Sequence, residues 1–395
     1  RLTIDTREQQ IAQQALQWGM RAAGLKRGVV IVMNPQTGVV LALVSLPTYD
    51  NNDFTGGISI ADYQKLLNNP DKPLTNHAVQ AHYPPGSTFK LVTGTGGLAE
   101  HKISPTTRVL TRPYLRLGAA RFWDWNKRGW GPCDIYCGFG HSSDTFFFQV
   151  AGMLGIDKLA YWAREYGFGE RTGIDLPGEA AGIIPSNAWK QDYLGERITG
   201  GETYQAGIGQ GYDVVTPIQL IRAYAALANG GKVMQPTLVR EEIGPDGKVV
   251  KPFKPKVVRK MRVSQDVLKT MRRAARNVLL VRHTNNFVDM PIVVAAKSGT
   301  AEFGSRDSKG RLPFHSWSVA FAPKDPWKKK SDPKGLYAIS RTDSNLAVLV
   351  FCYDSRTKGN VATETMKYFF QLYFHLKKDY RIHSLAKRGN FYQAN

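Results

Sequence analysis

The sequence predicts an α+β domain in which one antiparallel sheet is formed by strands from both ends of the chain, with helices on both faces. Three observations predict it. Two strand-sized apolar runs, GVVIVMN and VVLALVS, stand near the N-terminus. A long middle carries helical periodicities, and three further strand-like runs with a last helix close the chain.

In chain order, residues 3–23 read as an amphipathic helix, with Ile11, Leu16 and Met20 at helical spacing and Asp5 or Thr6 as the cap. Residues 28–45 read as two strands joined by PQTG, where Pro35 and Gly38 bracket a polar tip. Residues 51–76 are loop-rich around a short helix at 60–67. In AHYPPGSTFKLVTG, Pro84, Pro85 and Gly86 lead rigidly into a helix that begins at Ser87. Residues 133–155 look helical, with an aromatic patch at Phe146, Phe147 and Phe148; residues 156–166 form a further helix and 173–178 a turn. Residues 216–229 form a helix that has Pro217 in its first turn and Gly230 and Gly231 past its end. Residues 263–280 are another helix. Strands follow at 291–297, 315–322 and 345–353, with a Lys/Pro/Gly/Asp-rich loop at 324–341, and residues 360–376 make the last helix. No internal repeat or low-complexity segment appears.

The 395 residues are 42% hydrophobic, ample for a full core. The longest apolar runs are strand-sized and fall short of the ~20 residues of a membrane span. No signal peptide opens the chain. The formal charge of +21 suggests an anionic neighbour. Local clusters lie at 327–330 (WKKK) and in the tail at 377–388, and both are expected to touch an acidic lipid surface or an anionic polymer. No RNP, zinc-finger or basic-zipper pattern accompanies the charge, so nucleic acid is not expected as a partner. Three cysteines are too few for a disulfide scaffold.

Three short pieces carry chemistry together: Ser87-Thr-Phe-Lys90, Ser142-Ser143-Asp144, and Lys297-Ser298-Gly299-Thr300 after the strand PIVVAA. On a helix Lys90 stacks above Ser87, with Cβ atoms ~5–6 Å apart. Taken alone, that pair reads equally as a helix cap and a surface lysine. A serine hydroxyl is a poor nucleophile and needs a base within reach. Lys90 can serve as general base only if neutral, and burial with Lys297 as a neighbouring cation favours that. Ser142 is placed as a proton relay to the leaving amine. Backbone N–H groups of Ser87 and Thr300 are the oxyanion donors. Gly299 leaves room for substrate backbone. Asp144, Ser298 and Thr300 are assigned to substrate binding.

Weaker signals compete with blander readings. Cys133, Cys137 and His141, with Asp124 or Asp134, have spacing for a metal site; unlinked thiols or a local disulfide are the alternatives. Gly207-Ile-Gly209-Gln-Gly211 lacks the context of a dinucleotide loop and reads as a structural turn. His315 and Trp317 are expected to pack and shape the cleft rim, or, for His315, to transfer a proton directly.

With the triple motif in place, the chain resembles the class B penicillin-binding proteins, closest to the elongation branch, penicillin-binding protein 2. LTIDTREQQ, NPQTGVVLALVSLPTYDNNDF, YPPGSTFK, SSDTFFFQVA, TGIDLPGE, GIGQGYDVVTPIQL, AAKSGTAE and HSWSVAFAP are similar to that family's segments in order. Many relatives end the second motif in Asn, so Asp144 is a departure that fits this branch. The resemblance implies the penicilloyl-serine transferase (β-lactamase/transpeptidase-like) fold and a D,D-transpeptidase that joins peptidoglycan stem peptides through an acyl-serine. It implies no cofactor. It implies a D-Ala-D-Ala donor and an amine acceptor as substrates, β-lactams as inhibitors, and a RodA-type glycan polymerase and MreC-like scaffold as partners of the full-length protein. Residues 1–25 are then a hinge or linker helix from a missing pedestal. Residues 26–395 are then the transpeptidase domain, with a basic loop at 324–341 and a basic tail at 377–395. A membrane helix upstream is expected to anchor the domain outside the cytoplasmic membrane, and this fragment is expected to be monomeric. Two other functions compete: a D,D-carboxypeptidase or β-lactam hydrolase, for which no hydrolytic base is visible, and a non-catalytic wall scaffold, which has no need of Ser87, Lys90, Ser142 and Lys297 together.

Overall fold

The first helix, α1 (Thr6–Ala23), starts where the Asp5 carboxylate accepts from Arg7 N and Glu8 N, and it stops at Gly24 in the left-handed conformation. The computed structural model describes residues 1–281, 287, 289–308, 310, 312–355 and 360–380. The apolar hairpin β1 (Gly28–Met33) and β2 (Val40–Leu46) follows, with Val30 opposite Val44. Helix α2 (Lys90–Ala99) leads to α3 (Ile135–Gly140) and α4 (Asp144–Leu154), and α5 (Pro217–Ala228) and α6 (Gln265–Val278) complete the middle. Strands β3 (Ala295–Glu302), β4 (Phe314–Ala322) and β5 (Leu346–Cys352) precede α7 (Val361–Tyr373).

The five strands form one antiparallel sheet in the order β3-β4-β5-β1-β2. Both ends of the chain thus meet at the β1–β5 seam, with Val30 opposite Val350. Every residue of β1, β4 and β5 is buried, as strands covered on both faces must be. One face is covered by α1 and α7, which also pack on each other; α5 and α6 cover the other. The helix α5 is buried along its whole length, with a capping box at Thr216 and Gln219. The segment read as a hinge helix buries Ala12, Ala15 and Leu16 against this body.

Four expectations need correction. Ser87 does not open an α-helix: residues Gly86–Phe89 form a 3₁₀ turn and the α-helix begins at Lys90. The 133–155 run is two helices, because Ser142 is left-handed at φ 55° and Ser143 caps a new helix by accepting from Phe146 N. The strand expected at 291–297 starts later and holds the whole KSGT motif, since β3 pairs with β4 from Ala295↔Phe321 to Glu302↔Phe314. The loop at 324–341 contains a short helix, Leu336–Ser340. Two small ladders unread in the sequence lie between α2 and α3: Val109–Thr111 with Gly131–Cys133, and the hairpin Tyr114–Leu117 with Ala120–Trp123. Of the two basic clusters, the WKKK loop has Lys329 paired with Asp325 at 2.7 Å, and the tail beyond Tyr380 lies outside the described residues. Among those residues no helix is long and apolar enough to cross a membrane.

Candidate active site

The Ser87 turn is positioned by backbone. Tyr83 pairs with Val215, and Gly86 N donates to Gly209 O at 2.9 Å. Trp317 Nε1 donates to Pro84 O at 3.0 Å, Thr88 Oγ1 to Pro85 O at 2.7 Å, and Tyr224 Oη to Thr88 O at 2.9 Å. These bonds fix the turn on both sides of Ser87, which is half-buried among buried neighbours. The turn also fits closely against β3. A Cβ on Gly86 would stand 2.4 Å from Thr300 O, and one on Gly299 would stand 3.0–3.1 Å from Thr88 and Pro85 atoms. The turn packed on Gly299 leaves little room for a side chain there.

In a strand, the N–H and C=O of one residue point the same way. Thr300 O faces the Gly86 turn, so Thr300 N–H faces that side too, away from β4. Two residues further on, Glu302 presents its N–H and C=O to the Gln210 side-chain amide, at 2.9 and 3.2 Å. Ser298 O, on the same edge, accepts from Lys297 Nζ at 2.8 Å. The edge of β3 thus leaves the Thr300 N–H pointing toward the Ser87 turn, the arrangement an oxyanion pair needs.

Lys90 and Lys297 are fully buried and meet at Ser142. Lys297 Nζ donates to Ser142 Oγ at 2.8 Å; Lys90 Nζ lies 3.3 Å from the same hydroxyl and 2.7 Å from Ser142 O. The left-handed backbone of Ser142 turns both of its oxygens toward Lys90. Burial, and then the Lys90 charge, push the Lys297 amine well below the usual lysine range. Asp144 stands 2.6 Å from Lys90 Nζ. Burial raises its carboxyl above the ordinary value, against the opposing pull of Lys90. Two expectations shift here. Asp144, expected to meet substrate, is also engaged with Lys90, and its side chain remains partly exposed. Lys297, read as the cation, is the amine that burial drives toward neutrality.

The candidate metal set is not available. Cys133 and Cys137 are joined in a disulfide, which leaves neither thiolate to bind. Among the described residues no group of three or more ligand side chains forms a metal site. Asp124 is fully buried, and its Oδ2 accepts from Ser143 Oγ at 2.7 Å, Thr145 N at 3.0 Å and Thr145 Oγ1 at 3.0 Å. Next to it, Trp125 Nε1 donates to His141 O at 3.0 Å. This bracing of the Ser142 turn was missed, because no period in the sequence marks a carboxylate that reaches 19 residues along the chain. His315 is buried and stacked on Phe303 at 4.0 Å; desolvation and Arg27 lower its imidazole to about 3. The GIGQG segment is a structural turn, with Gly209 against Gly86 and Gln210 on β3.

A serine turn, two buried lysines sharing a second serine, and a strand edge whose Thr300 N–H faces that turn define the class of serine acyl-transferases. The chain belongs to the penicillin-binding protein transpeptidase domain family, whose pattern matches residues 28–328. It is 37% identical over 341 residues to the peptidoglycan D,D-transpeptidase MrdA of Haemophilus influenzae, covering 82% of this chain and 51% of that protein. The chain spans about half the length of the curated relatives it matches. Among solved structures it is similar to Pseudomonas aeruginosa PBP2 in complex with WCK 5153, at 30% identity and a TM-score of 0.78, covering 96% of this chain and 79% of that one. It is also similar to the Helicobacter pylori complex between PBP2 and MreC, at 28% identity and a TM-score of 0.76, covering 95% and 64%.

Proposed function

We propose that this chain is the catalytic part of a peptidoglycan D,D-transpeptidase of the elongation branch, acting through an acyl-serine at Ser87. The convergence of Lys90, Ser142 and Lys297 beside the Ser87 turn carries the reading. Ser87 Oγ attacks the carbonyl between the two terminal D-alanines of a donor stem. Its proton passes to the Lys90 amine, the general base, which the Asp144 carboxyl meets at 2.6 Å. The oxyanion accepts from Ser87 N–H and Thr300 N–H. The C–N bond breaks, and D-alanine leaves with a proton relayed through Ser142. Lys297 donates to Ser142 Oγ and orients that relay, and Ser298 and Thr300 hold the substrate carboxylate. An amine of a second stem then attacks the ester; its proton returns through the same groups to Ser87 as the C–O bond breaks.

Covalent labelling tests this reading. Intact-mass analysis after incubation with penicillin should give one adduct, absent in Ser87→Ala. An adduct of the same mass on the variant would move the nucleophile elsewhere.

The longer protein is proposed to sit on the outer face of the cytoplasmic membrane, with residues 26–395 as its transpeptidase unit, α1 as the joint to an upstream pedestal, and a RodA-type polymerase and MreC-like scaffold as partners. The Cys133–Cys137 disulfide supports an oxidising compartment, and the MreC complex of the Helicobacter pylori neighbour supports the scaffold.

A further inference from the structure

The lobe at residues 108–128 carries chemistry that acylation leaves unused. Arg108, Arg112, Arg116, Arg121, Lys127 and Arg128 are all exposed on it. Asp124 is the one acid between Thr106 and Cys133, and it faces inward onto Ser143 and Thr145. None of the six cations forms an ion pair among the described residues. Arg116 and Arg121 stand opposite each other in the hairpin ladder, where like charges repel and an anion that shares their field relieves the repulsion. Aromatic faces stand among the cations. Lys127 lies 4.7 Å over Trp123 and Arg121 lies 5.1 Å over Tyr114, while Trp123 and Leu117 stay exposed. Rings beside cations suit a ligand that alternates sugar C–H faces with carboxylates.

The lobe is joined directly to the catalytic wall. Asp124 follows the exposed Trp123 and holds Ser143 and Thr145. Trp125 holds the residue before Ser142. A ligand on this lobe therefore approaches from the Ser142 wall, opposite the β3 edge that would hold the donor.

We propose that the lobe binds the acceptor substrate as an uncrosslinked glycan strand whose stem peptides carry free carboxylates. The proposal rests on the transpeptidase reading, of which it names the second substrate's surface. The lobe's cations meet the stem carboxylates, and Trp123 and Tyr114 meet the sugars.

The test is binding of uncrosslinked glycan–peptide strands to the unaltered chain and to a chain carrying Arg116→Glu, Arg121→Glu and Lys127→Glu. Affinity should fall about tenfold or more on reversal and weaken with salt as the Debye length contracts. Amidation of the strand carboxylates should erase the difference between the two chains. Penicillin acylation should stay within about twofold, which also shows that the variant is folded. If reversal unfolds the chain, Gln at the same positions replaces it and should give the same ordering. Equal strand binding by both chains overturns the proposal. So does loss of binding to phosphatidylglycerol vesicles with strand binding intact, which would assign the lobe to a lipid surface. Absence of a Ser87 adduct on the unaltered chain would sink the transpeptidase reading, while strand binding would still judge the lobe.

Discussion

The two walls of the cleft are built by different means. The wall with Ser87 and Thr300 is held at its backbone groups: Gly86 N on Gly209 O, Trp317 on Pro84 O, and glycines at 86, 209 and 299 where a Cβ would crowd its neighbours. The wall with Ser142 is made of side chains: Asp124 on Ser143 and Thr145, Trp125 on His141 O, and two lysines on one hydroxyl. A wall of packed backbone is damaged by an added atom. A wall of side-chain bonds is damaged by a lost one, because the buried groups left behind go unsatisfied.

The largest expected effect breaks the first wall. Gly209 has φ 75°, and a Cβ there would stand 2.4 Å from Gly86 O and 2.7 Å from Phe89 Cβ. Gly209→Ala should cost about 3 kcal/mol, from left-handed strain and overpacking together. It should slow penicillin acylation by about a hundredfold or more, because the Ser87 turn must shift. Urea denaturation and stopped-flow labelling measure both. Normal acylation would mean that the turn is not held by this contact.

A smaller effect is expected at the second wall. In Asp124→Asn the amide keeps the shape but removes the charge that three donors share, and its nitrogen is left facing another donor, Asn126 N. Stability should fall by about 1–3 kcal/mol and acylation by about tenfold. If acylation holds while stability falls, Asp124 braces the fold without setting Ser142.

The smallest effect concerns charge behind the first wall. His315 titrates at about 3 when folded, against 6.5 as the ordinary value. Between those limits the unfolded chain binds the proton and the folded chain does not. Stability therefore falls as pH drops from 6.5 toward 3, by up to about 1.4 kcal/mol per unit. His315→Phe keeps an aromatic ring against Phe303 and should flatten that slope. Denaturation midpoints at pH 7, 5.5 and 4.5 give the comparison, and parallel slopes for the two chains would place the acid sensitivity elsewhere.

What the sequence made legible follows the same division. Ser87 and Lys90, and Lys297 to Thr300, are spaced within one turn or one strand, so short-range pattern revealed them. The sheet joining both ends was legible because β1 and β5 are continuous apolar runs and β4 ends in VAFA. The start of β3 was misread because the apolar run PIVVAA looks like the strand, although pairing with β4 begins only at Ala295. The 3₁₀ turn was hidden because its geometry is set by Trp317 and Gly209, far away in sequence. Asp124 and Gln210 were invisible as supports, since a side chain that reaches across the fold leaves no periodic trace. The Lys90–Asp144 pair was hidden for the same reason: neither motif reveals that the two side chains face each other.

One consequence of the Gln210 amide reaches beyond catalysis. An outermost strand commonly offers a row of open groups on which another copy can zip and grow. Here Lys297 occupies Ser298 O, Gln210 occupies both groups of Glu302, and the Gly86 turn crowds Thr300 O. A visiting chain meets an interrupted border instead of a template, so pairing of two copies along it is disfavoured.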